Sequence, residues 1–92
     1  MVTVSGISAG DADVARSLLA TTADSAVSTG ARAAVSGAKR AADLEAWTFQ
    51  RVEDAESLLA LLEDHRRHGT LDPDKVHAVD RLIAKLTAAC RA

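Results

Sequence analysis

Apolar positions fall at a three-four spacing over the second half of the chain. Val76, Val79, Ile83, Leu86 and Cys90 share one face of a helix over about 73–90, and Val52, Ala55, Leu59 and Leu62 keep the same rhythm ahead of it. Between the two runs, "HRRHGTLDPDKV" gathers stop and start signals. Gly69 suits a left-handed residue after a helix end, with Arg66 and Arg67 in the last turn before it; Asp72 can cap the next helix and Pro73 can open it. The pattern predicts an antiparallel hairpin of helices over 45–68 and 73–90 with its turn at 69–72. Leu58 and Leu61 widen the first apolar stripe and Leu82 the second, beyond what a two-helix contact covers, so a third helix or a second chain is expected against them.

The first half is patterned more thinly. In "GDADVARSLLATTADSAV" Asp11 and Asp13 suit a helix start, and Val14, Leu18 and Leu19 give a short apolar face. In "STGARAAVSGAKRAAD", residues 28–43, a helical wheel places Thr29, Arg32, Ser36, Lys39, Arg40 and Asp43 on one arc. Gly30, Ala33, Ala34, Gly37, Ala38 and Ala41 lie on the other. A glycine and alanine face lets a second backbone approach more closely than the usual 8–10 Å between helix axes. The reading is one alanine-rich helix over 11–44 with a soft point near 28–30; run on to His68 it would be about 85 Å long at 1.5 Å per residue. Residues 1–10, despite the spacing of Val2, Val4 and Ile7, read as a flexible arm ahead of a single helical domain over 11–92. The fold class expected is all-α, an elongated or oligomeric bundle. The interface candidates are Gly30, Ala34, Gly37, Ala41, Trp47, Leu58, Leu61 and Leu82.

Composition supports helix. One proline, no tyrosine and two aromatics in 92 residues argue against a β-sandwich or barrel. Lysine and arginine number 11 against 13 acidic residues, mixed along the chain, and Asp72 and Asp74 oppose the basic Arg66-Arg67-His68 end, so a nucleic-acid partner is not expected. No apolar run reaches the ~20 residues of a membrane span, and no basic leader precedes an apolar core. A cytoplasmic or virion setting is expected, with non-classical export as the other route. The lone Cys90 closes no disulfide within the chain and sits in the apolar row.

Candidate chemistry is sparse. His65 and His68 lie three apart and His77 follows the turn, but a fourth metal ligand is missing. Glu53, Asp54 and Glu56 read as a solvated face, with Glu63 and Arg67, and Lys39 and Asp43, as helical ion pairs. No arrangement of nucleophile and base and no phosphate-cradling loop is found, so neither catalytic residues nor a cofactor is expected. Trp47 and Phe49 form the aromatic pair of a core or of an interface anchor.

A helical chain of this size with a central tryptophan resembles the W-x-G helical-hairpin proteins of type VII export systems, which implies a secreted helical effector. The resemblance departs at "AWTFQ", where Phe49 stands in place of the motif's glycine, and in the lack of tyrosine for the C-terminal export signal. No residue role is carried over from it. The function expected is that of a non-enzymatic assembly or interaction protein, a structural subunit or adaptor, with the exported effector and a small dimeric DNA-binding regulator as alternatives.

Overall fold

The computed structural model describes residues 1–69 and 71–91. Strand β1, Val2–Ser8, leads directly into helix α1, Ala9–Ala20. The hydroxyl of Ser8 makes the junction by accepting from the Asp11 amide at 3.2 Å, the bond an N-cap residue supplies. A single 3-10 turn, Asp24–Ala26, precedes helix α2, Thr29–Ser36, which Ser28 caps in the same way through the Ala31 amide at 3.1 Å. Strands β2, Lys39–Ala41, and β3, Leu44–Phe49, form a tight hairpin, followed by α3, Val52–His68, and α4, Pro73–Arg91.

The three strands form an antiparallel sheet in the order β1-β3-β2. Its central strand pairs Trp47 with Val4 and Phe49 with Val2 on one side, and Ala46 with Lys39 on the other. One extra residue in β1 shifts the register between Val4 and Ile7, where Gly6 takes φ +71°, a left-handed conformation that glycine adopts without a Cβ clash. The bulge turns both Val4 and Ile7 inward although they stand three apart. With Glu45, Trp47 and Phe49 they form the buried face of the sheet, while Thr3, Ser5, Leu44 and Thr48 face solvent. Helix α4 packs against α3, α1 and β1, and Leu58, Leu62, Leu82 and Leu86 meet the sheet's aromatics in one core.

The mixed α/β architecture overturns the all-α expectation. Residues 1–10 are not a flexible arm: 2–8 are the strand β1. Within 11–92, residues 39–41 and 44–49 are strand, so that span is not a purely helical domain either. The helix expected over 11–44 is two helices divided at 21–28, and the soft point at 28–30 is the N-cap of the second. The first arm of the hairpin begins at 52 rather than 45 because 44–49 pair in the sheet. Gly69 does end α3 at φ +66° and Pro73 does open α4; Thr70 of the turn lies outside the described residues. The chain folds back within 31 × 31 × 24 Å, so neither an elongated bundle nor a coiled coil describes it.

The leucines that seemed in excess find their cover inside the chain. Leu58, Leu62 and Leu82 are fully buried and Leu61 nearly so, because sheet and α1 supply the third layer that a hairpin alone lacks.

Candidate functional site

Two sets of polar contacts fix α2 beside the sheet. At its start, the Ser28 hydroxyl donates to Asp54 Oδ1 at 2.9 Å and the Ser28 amide donates to Ser57 Oγ at 3.0 Å, tying the helix to α3. Along its length, Arg32 donates to the carbonyls of Leu19 and Thr22 at 3.0 and 2.9 Å, joining α2 to the end of α1 and the turn that follows it. Ala31, Ala34 and Val35 are thereby turned into the core.

The hairpin is fixed by a buried carboxylate. Glu45 accepts from Arg16 at 2.5 and 3.0 Å, from Arg40 Nε at 3.1 Å, and from the Trp47 indole at 3.4 Å. Hydrogen bonding from Arg16, then from Arg40 and Trp47, outweighs desolvation and holds the Glu45 carboxyl down at about 2. A second pair, Asp11 with Arg81 at 2.7 and 2.9 Å, joins α1 to α4, and Arg81 holds the Asp11 carboxyl below its ordinary value. Both buried acids are thus neutralised by arginines within the fold.

Between α2 and the outer face of the sheet runs a groove of about 360 Å³. Gly30, Ala33, Ala34 and Gly37 form its helical wall. Lys39, Ala46, Thr48 and Gln50 form the wall of the sheet, and Lys39 alone among these eight carries charge. The small wall is partly obligatory, since a side chain at Gly30 would collide with the Asp54 carboxylate. A second hollow of similar size, lined by Glu56, Leu59 and Glu63 among others, lies on α3 alone. A third, between α1 and α2, is lined by Arg16 and Arg32, whose guanidinium groups are engaged with Glu45 and with backbone carbonyls.

Of the residues singled out from the sequence, Gly30, Ala34 and Gly37 come together in the groove. Ala41 is exposed in β2 at the hairpin end, away from it. Trp47, Leu58, Leu61 and Leu82 are core residues of this chain. His65, His68 and His77 do not converge, and no group of three His, Cys, Asp or Glu among the described residues is placed to hold a metal ion. The half-buried Cys90 thiol is pushed up by desolvation and by the nearby Glu56 charge. Neither Glu63 with Arg67 nor Lys39 with Asp43 forms an ion pair among the described residues; Arg66 with Asp80 at 2.8 Å and Arg51 with Glu53 at 3.2 Å do. No helix of the described residues is long and apolar enough to cross a membrane.

The sheet wall of the groove and the Glu45 cluster were not visible in the sequence reading. The signal that could have revealed them is the two-residue alternation of Glu45, Trp47 and Phe49 against Leu44, Ala46 and Thr48, which an acid at the first inward position disguises. Compared with family models, with curated proteins and with solved structures, the chain finds no match, so its functional reading stands on this geometry.

Proposed function

We propose that this chain is a non-enzymatic protein-interaction module that receives part of a partner protein in the groove between α2 and the sheet. The observation that carries the reading is the groove's composition. Exposed Ala33 and Gly37, with half-buried Gly30, stand opposite Ala46 and Thr48, while Val35, Trp47 and Phe49 are drawn inside and Leu44 is the bulky apolar side chain of β3 left in solvent. Small side chains on both walls leave room for another backbone and its hydrogen bonds. The two buried carboxylates, Glu45 and Asp11, are spent on internal ion pairs and do not stand as an acid or base in a cleft. Self-assembly through the leucine stripe loses its ground, because those leucines are already packed. The exported W-x-G type of hairpin loses its ground too, since Trp47 lies in a strand and not at a turn between helices.

The test is site-specific photo-crosslinking in the cells that make the protein. A photoreactive residue at Ala33, in the groove, should give a discrete crosslinked protein, and one at Ala84, exposed on α4, should not. Equal products from both positions, or none from Ala33, would remove the groove as the contact surface.

A further inference from the structure

We infer that the occupant of the groove is an extended, carboxylate-bearing peptide that adds to β3 as a strand in line with β2. This deepens the interaction reading above and rests on it. Strand β2 ends early: it pairs with Leu44, Glu45 and Ala46 only, whereas β3 runs on to Phe49 with β1 as its partner on the other side. A two-residue hairpin closes on a pair that exchanges both ladder bonds, and bonded and non-bonded pairs alternate from there. Counting from Ala41 and Leu44, the peptide groups of Ala46 and then Thr48 are directed to the β2 side. On the β1 side Thr3 and Thr48 correspondingly form a non-bonded pair, with their hydroxyls 3.5 Å apart.

The residue that would face Thr48, were β2 continued backwards, is Gly37. Its amide is instead given to the Ala33 carbonyl at 2.8 Å, closing α2, and the Ala38 amide turns to Val35 at 3.4 Å. Helix α2 therefore takes over the course of the chain where a strand would have run, and the ladder position beside exposed Thr48 stays open along the groove. An open edge is a template for one more strand, and a helix wall of Gly30, Ala33 and Gly37 is low enough to admit it. From Trp47 to Phe49, where β3 ends, three residues of edge are open, about 10 Å, which takes roughly three peptide residues. Lys39 at the β2 end is the charged group lining this course, which selects a carboxylate at the matching end of the peptide.

The probe is a fluorescein-labelled, end-capped octapeptide of alternating threonine and valine flanked by glutamates, titrated into the full chain. Fluorescence anisotropy should show saturable binding below about 1 mM, and amide exchange should show protection of Thr48. The same peptide N-methylated at its threonines and valines should not bind. Ala33→Leu, which fills the groove from an exposed helical position, should weaken binding about tenfold or more. Lys39→Glu should reverse the preference toward a peptide flanked by lysines, with the melting temperature of both variants unchanged. Absence of saturable binding, equal binding of the N-methylated peptide, or indifference to Ala33→Leu overturns strand addition. If crosslinking from Ala33 succeeds while the octapeptide fails, the module stands and the strand-like occupant falls.

Discussion

Arg16 and Glu45, carried by α1 and β3, meet in a two-point ion pair at 2.5 and 3.0 Å around a carboxylate that is almost wholly buried. The same arginine donates to the Val35 carbonyl at 3.2 Å, and Arg40 closes on the carboxylate from β2. One acid thus ties two helices and two strands. Its removal leaves two guanidinium groups facing each other, with the exposed Asp13 carboxylate, 3.6 Å from Arg16, as a weak counter-charge. Glu45→Gln should therefore cost about 2 kcal/mol, less than breaking a fully buried pair from one side because both arginines keep part of their side chains in solvent. Because the folded carboxyl titrates at about 2 against an ordinary value of 4.5, its contribution is complete above the ordinary value and is lost as pH falls between the two. Denaturant titrations at neutral pH and at steps down through that window should show the gap between parent and variant closing. A gap that does not change with pH would show that the carboxylate is not the element at work.

The two helical glycines of the first half should respond with opposite signs. Gly10 in α1 has nothing within 4 Å of where a Cβ would stand, so Gly10→Ala should stabilise by about 0.5 kcal/mol through helix propensity and a less flexible unfolded chain. At Gly30 the Asp54 carboxylate, held by Ser28, occupies that space. Gly30→Ala should destabilise by about 1 kcal/mol or more despite the same gain in propensity. Thermal melts of the two variants decide it; a stabilised Gly30→Ala would mean that Asp54 moves aside freely.

At the hairpin tip Ala42 has φ +51° and Asp43 φ +66°, the two left-handed positions of a tight two-residue turn. Aspartate tolerates this conformation; alanine pays a Cβ clash of about 1 kcal/mol. Ala42→Gly should raise stability by about that amount and leave binding in the groove untouched, since Ala42 does not line it. A loss of stability would show that the added freedom of the unfolded chain outweighs the relieved strain.

Leu82, expected from sequence to meet a partner, is a core residue. Leu82→Ala should lower stability by about 2–5 kcal/mol, as a cavity at a fully buried leucine does. Its unfolding midpoint should not depend on protein concentration. A concentration-dependent midpoint in the parent chain would return this leucine to an interface between chains.

The stretch from 52 to 91 was the most legible part of the molecule. Its signals are local: a three-four apolar rhythm, basic residues and Gly69 closing one helix, Pro73 opening the next. Of the small face expected over 30–41, Gly30, Ala33, Ala34 and Gly37 lie together on one groove wall, while Ala38 and Ala41 fall beyond the end of α2. The sheet was hidden for reasons that can be named. Val4 and Ile7 point the same way only because of the bulge at Gly6, which breaks the alternation that would announce a strand. Glu45 occupies an inward position that pattern reading assigns to an apolar residue, and what makes it tolerable there is Arg16, 29 residues away in the chain.

By itself the sequence determined the helical hairpin and the small-residue wall, because helix signals act between residues three or four apart. Tertiary structure alone decided the sheet, the sheet wall of the groove and the open edge at Thr48. The pairing of β1 with β3 joins Thr3 to Thr48 across 45 residues, and the stability of such a strand lies in the partner it finds and not in its own residues.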